Sequence, residues 1–173
     1  MGEKESLGER LNRLAAEKNL KQETEKQARL RQEQINQFIY RETRPEFERL
    51  VQAVEARALA TNPALKDLPQ FEFCKGGPYV KQGNVAAFLF FSQPIMNAGP
   101  ISLRLTLGRE PQGMYADVFS APPRPIHNQF QPGMETSPDR IVWIGDSREI
   151  SSDELADFTL LRLTEYFLER KRS

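Results

Sequence analysis

LRLTLGREPQGMYADVF, residues 103–119, alternates apolar and polar side chains on both sides of a Pro111-Gln112-Gly113 turn. Alternation at period two is the signature of a strand with one face buried. Placing Gly108 opposite Gly113 sets Leu103, Leu105 and Leu107 against Val118, Ala116 and Met114, so that one face of the hairpin is wholly apolar. The other face then pairs Ser102 with Phe119, Arg104 with Asp117, and Thr106 with Tyr115. A slip of one residue would mix the two faces and leave leucines outside.

The arms of this hairpin, about 101–108 and 114–120, are two of five strand-like runs. The others lie at about 70–75, 85–92 and 140–145, and the runs are punctuated by Gly76-Gly77-Pro78, Gln82-Gly83-Asn84 and Asn97-Ala98-Gly99-Pro100. VAAFLFF (85–91) is apolar at both parities, as expected of a central strand covered on both sides. Ser151-Ser152-Asp153-Glu154 reads as a capping box. It opens a helix carrying Leu155, Phe158, Leu160, Leu161, Leu163, Tyr166 and Phe167. Upstream, Thr43-Arg44-Pro45-Glu46 has the same pattern with proline in the first turn. Phe47, Leu50, Val51, Val54 and Ala58 follow as one amphipathic stripe that Thr61-Asn62-Pro63 ends. The alternative is a single long helix bent at Pro45. These elements define an α+β domain over residues 43–173: helix 44–60, an antiparallel meander of about five strands between 70 and 145, and a C-terminal helix 152–171 packed on it.

Residues 1–42 differ in composition. Nine of the eleven phenylalanines and ten of the twelve prolines lie beyond residue 67. KQETEKQARLRQEQINQF (21–38) has only Ala28, Leu30, Ile35 and Phe38 as apolar residues. Glu9–Arg13, Glu17–Lys21 and Glu25–Arg29 are acid-before-base pairs at i,i+4, each worth about 0.3–0.5 kcal/mol in an exposed helix. Heptads begun at Leu7 and Leu14 run into Lys21, Ala28 and Ile35, with Arg10, Glu17, Thr24, Arg31 and Phe38 at the other core position, so no sustained apolar seam forms. As a helix, residues 3–42 would extend about 60 Å at 1.5 Å per residue, against a diameter of about 35 Å for the folded body. The expectation is a polar helical arm, with a patch at Leu7–Leu14, that serves a protein partner or a homo-oligomer.

Composition narrows the chemistry. Twenty-four basic groups balance twenty-four acidic ones, 13 and 12 in residues 1–67 and 11 and 12 in the rest. A phosphate-tracking protein needs a net positive field, so nucleic-acid binding is disfavoured. No run approaches the length of a membrane span, and the opening MGEKESLGERL lacks an apolar targeting core; Met1-Gly2 with Ser6 meets only the short, common myristoylation pattern. The expectation is a cytoplasmic protein. With one cysteine, Cys74, and one histidine, His127, neither a disulfide within the chain nor a cysteine- or multi-histidine metal site can form. No catalytic residue, cofactor or metal is assigned. CKGGPYV (74–80) reads as a hairpin turn, not a phosphate loop. A Cys74–His127 dyad is conceivable chemistry, but a small buried thiol in an apolar strand is the plainer reading.

Two candidate binding features remain. One is the polar face of the hairpin, where Arg104 and Asp117 are framed by Tyr115 and Phe119; the plainer account is a solvated face. The other is APPRPIHNQFQPGMETSPDR (121–140), read as a long loop stiffened by five prolines, with Arg124, His127 and a surface Phe130. Its Pro122-Pro123-Arg124-Pro125 fits a polyproline ligand pattern. The leading expectation is a non-catalytic interaction or self-association module. Its rival is a small-molecule binder or enzyme using Arg104, Asp117 and Tyr115 or the His127 loop.

Overall fold

The computed structural model describes residues 6–75, 85–92, 102–110, 113–120, 127–136 and 139–171. Helix α1 spans Leu7–Thr61, followed by a 3₁₀ turn at Asn62–Ala64. Among the described residues seven strands come next: β1 (Phe71–Lys75), β2 (Val85–Phe91), β3 (Ser102–Glu110), β4 (Gly113–Ser120), β5 (His127–Thr136), β6 (Asp139–Gly145) and β7 (Arg148–Ile150). Helix α2 (Ser152–Lys171) closes the fold. Strand order follows chain order, and every neighbouring pair is antiparallel. The fold is therefore α+β, a meander with a C-terminal helix and a long N-terminal one.

The chain divides into two units, Met1–Phe38 and Ile39–Ser173. In the second, Phe47, Leu50, Val51, Val54 and Ala58 of α1 join Phe71, Ala87, Leu89, Phe91, Leu105, Leu107, Phe130 and Trp143 of the sheet, and Leu155, Ala156, Leu160, Leu163, Tyr166 and Phe167 of α2, in one buried cluster. The registers put these strand residues on a single face. Both helices thus pack on the same side of the sheet. Phe91 links the layers, stacked on Phe71 at 4.7 Å and tilted against Phe167 at 4.7 Å. Arg57 of α1 ties the helices together, bonded to the Asp153 carboxylate at 3.0 Å and to Asp157 at 2.7 Å. Of the large apolar residues described on α2, only Leu161 and Leu168 stay exposed.

Four sequence expectations need correcting. The capping box at Thr43 does not form, because α1 continues through Pro45 as a single long helix, the alternative that the sequence offered. Thr43 is fully buried and its hydroxyl donates to the Ile39 carbonyl at 2.5 Å, while Glu46 turns to Ser152 and Arg49. Proline inside a helix costs about 3 kcal/mol, less than burying Phe47, Leu50 and Val54 returns at about 1.5–3 kcal/mol per side chain. The hairpin pairs two residues further along than expected: Arg104 faces Phe119, Thr106 faces Asp117, and Gly108 faces Tyr115. The strands continue to a last pair of Glu110 with Gly113, leaving two residues between them. A shift of two keeps every residue on its expected face.

The third correction is that most of the supposed loop 121–140 is strand. Residues 127–130 of β5 pair with β4, and residues 131–136 pair with β6. Pro132 falls in the half that pairs with β6 alone, where a missing N–H is tolerated. Phe130 is buried against Phe158, and it lies over Gly145, where a Cβ would come within 2.5 Å of its ring. Fourth, a short strand, β7, stands between β6 and α2, where the sequence passed directly from the 140–145 run to the capping box. Asp146 and Ser147 have φ of 50° and 61° and turn β6 into β7, the twin left-handed geometry of a type I′ hairpin. The turn at 76–80, Arg124, Ile126 and the proline pattern at 122–125 lie outside the described residues.

The capping box at α2 forms as expected. The Ser151 N–H donates to Glu154 Oε2 at 2.9 Å, and the Glu154 N–H donates to Ser151 Oγ at 3.2 Å. These bonds from Ser151 hold the Glu154 carboxyl below its ordinary value, so the folded chain favours its ionised form. That stabilisation is complete at neutral pH and fades as acid carries the solution down through the lowered pKa. Glu154→Ala should lower the urea midpoint at pH 7, and its difference from wild type should shrink as the solution is acidified through the lowered pKa. Ser147→Gly should raise stability by about 1 kcal/mol, measured in the same titrations, because only glycine adopts left-handed backbone freely.

Candidate functional site

Two surfaces carry the residues singled out by sequence, and each belongs to its own unit. In the first unit, residues 6–34 are exposed without interruption. Their helix starts at a capping box that the sequence reading missed. The Ser6 N–H donates to Glu9 Oε2 at 2.7 Å and the Glu9 N–H to Ser6 Oγ at 3.3 Å, which lowers the Glu9 pKa. Ser-x-x-Glu was legible there, obscured by the glycine at position 8. Further along, side chains hold the helix locally: Arg13 with Glu17 at 4.0 Å, Thr24 to the Leu20 carbonyl at 2.8 Å, and Gln32 to Asn36 at 3.1 Å. Leu7, Leu11, Leu14, Leu20 and Leu30 are between 51% and 75% exposed. Exposed leucines on a preformed helix are what a helical partner or a groove takes up.

In the second unit, backbone register defines a lateral row on the sheet face opposite to the helices. Cys74 pairs with Phe88, Phe88 with Arg104, Arg104 with Phe119, and Phe119 with His127. Arg104, Phe119 and His127, expected on two separate features, therefore fall on consecutive strands of one line. Asp117 sits in the next line, between Thr106 and Gln129, a diagonal neighbour of Arg104 and not its cross-strand partner. Tyr115 lies opposite Gly108, one line further. Phe130 has opposite parity and belongs to the core.

Cys74 and His127 stand at opposite ends of the row, four strand spacings apart, or about 19 Å. That distance excludes a thiol–imidazole dyad. The cysteine is exposed on the edge strand, not buried as expected. Among the described residues no group of three His, Cys, Asp or Glu side chains could hold a metal ion, and no helix is long and apolar enough to cross a membrane. Compared with known proteins, the chain matches no family model, no curated protein and no solved structure.

The row geometry makes a direct forecast. Cys74 in the native protein should react with a thiol reagent at the rate of an exposed peptide thiol, and His127→Ala should leave that rate and its pH profile unchanged. A rate that drops with His127→Ala would show contact between the two.

Proposed function

We propose that the chain is a non-catalytic interaction module of the cytoplasm, in which the sheet and its two packed helical segments form a stable body and the first half of α1 is the grip for another protein chain. The observation that carries this reading is the unbroken exposure of residues 6–34 in a helix that still displays five leucines. A helix this polar gains little from its own fold, since most helical stability in proteins comes from burying an apolar face. Its leucines cost solvation for as long as they stay bare, and covering each would return about 1.5–3 kcal/mol.

A second reading, a small-molecule binder, draws on the Phe88–Arg104–Phe119–His127 row, with aromatic residues in line with a directional cation. It asks for a deep concave pocket with converging polar groups, whereas the row is a strip across a meander.

The reading is tested by removing residues 1–30 from the full chain. Because no apolar side chain of 7–30 is buried, the cooperative thermal transition of the body should move by less than about 2 °C, whereas a lost kilocalorie in a domain of this size moves it by about 2–8 °C. Chemical cross-linking in the parent cells should capture protein on the full chain and lose it on the shortened one. Identical cross-linked products from both would overturn the reading.

A further inference from the structure

Resting on the reading of α1 as a grip, we propose that the chain it grips is a second copy of itself, with the two α1 segments side by side and antiparallel about a two-fold axis at residue 23. Stepping along the helix by alternate fours and threes from Leu7 gives one seam: Leu7, Leu11, Leu14, Lys18, Lys21, Glu25, Ala28, Gln32, Ile35, Ile39. It is apolar at both ends and charged in the middle. This pattern defeats a parallel pair, in which each residue meets its own copy and Lys18, Lys21 and Glu25 make three successive like-charge layers.

Reversing one helix removes all three clashes. With opposing residue numbers summing to 46, Leu7 meets Ile39, Leu11 meets Ile35, Leu14 meets Gln32, Lys18 meets Ala28, and Lys21 meets Glu25, each layer made twice. Apolar ends fall on apolar ends. The Lys18 stem lies over the small Ala28 and carries its ammonium out to water. Lys21 finds an opposite charge in the very layer where a parallel pair would give it a like one.

The flanking positions agree independently. In antiparallel coiled coils the residues just before one core position face their counterparts across the seam. That sets Glu17 against Arg31 of the second copy, again twice, and Thr24 beside Thr24. On the opposite flank Gln22 meets Gln22, and Ala15 meets Arg29. No like charges meet on either side. Leu20 and Leu30 lie off the seam and remain at the surface. One segment supplies both halves of a complementary pattern, which points to a second copy and not to an unrelated helix.

The experiment uses the full chain in light scattering over a dilution series. Wild type should run as a dimer that dissociates on dilution and in high salt. Glu25→Lys, which sets a second ammonium against Lys21, should raise the dissociation constant at least about tenfold, equivalent to about 1.4 kcal/mol. The exchange Lys21→Glu with Glu25→Lys should restore it to within about threefold. In a Cys74→Ser background, Lys18→Cys and Ala28→Cys proteins should form a disulfide when mixed and none when oxidised alone. Identical positions of an antiparallel pair would lie about 15 Å apart at 1.5 Å per residue, beyond the roughly 7 Å between Cα atoms that a disulfide allows.

Self-cross-linking of either cysteine variant, or a wild-type chain that stays monomeric at every concentration, would overturn the proposal. In the monomeric case, cross-linked capture of a different protein that depends on residues 1–30 keeps the grip and dismisses only the second copy. A dimer that persists without residues 1–30 dismisses both.

Discussion

Everything in the body of this protein depends on the stripe Phe47, Leu50, Val51, Val54 and Ala58 lying against the sheet. A single helix face is asked to cover strands that would otherwise expose Leu89, Leu105 and Leu107. An antiparallel meander with one bare apolar face is not stable in water, and α2 alone is too narrow to cover seven strands. The stripe supplies the second half of the cover. It begins at Phe47, two residues after a proline that would break a helix left to itself. That α1 continues through Pro45 shows tertiary burial outweighing a strong local preference.

Polar groups then hold the two helices in place over the apolar layer. The indole N–H of Trp143, a fully buried residue, donates to Ser152 Oγ at 2.9 Å, and the Ser152 hydroxyl donates to Glu46 at 2.5 Å. This relay joins β6, the first turn of α2 and α1. It also answers the cost of burying an indole, whose N–H needs a partner once water is excluded. Phe47 meets the same Trp143 edge-on at 6.4 Å, so one residue organises both the apolar and the polar contacts of that corner. At β1, the side-chain amide of Asn62 accepts from the Phe71 N–H at 2.7 Å and donates to its carbonyl at 3.0 Å. A residue just past the end of α1 thereby stands in for a neighbouring strand at the start of the sheet edge.

Where sequence reading succeeded, the signal was periodic and local. The stripe of α1, the apolar arc of α2, the Ser151 capping box and the shared face of Leu103, Leu105 and Leu107 all follow from spacing alone. Failures came where one residue carried two meanings. Thr43-Arg44-Pro45-Glu46 has the letters of a helix start, but Thr43 is buried and Glu46 is recruited by Ser152 of α2, far along the chain. Five prolines made 121–140 read as a loop, because nothing local reveals that β5 pairs β4 with one half and β6 with the other. Phe130 followed that error outward, although Gly145 leaves the space that receives its ring. The candidate face was half legible. Parity put Arg104, Asp117, Tyr115 and Phe119 on one side, yet only the pairing of consecutive strands could bring His127 into line with Arg104.

The division of apolar residues separates stability from the proposed recognition in this chain. The buried cluster draws on α1 only from Phe47 onward, so substitutions in residues 7–34 are free of the packing constraints that bind the body. Such a segment can carry lysine and glutamate at seam positions where a core helix would need leucine. Charged seam layers weaken an association compared with apolar ones, but they penalise wrong partners and wrong orientations by placing like charges in contact. The proposed polar seam would therefore suit reversible contact with a second copy better than permanent assembly. The proposed self-association would account for the polar composition of the arm, whereas its helical form comes from capping and local pairs that need no core.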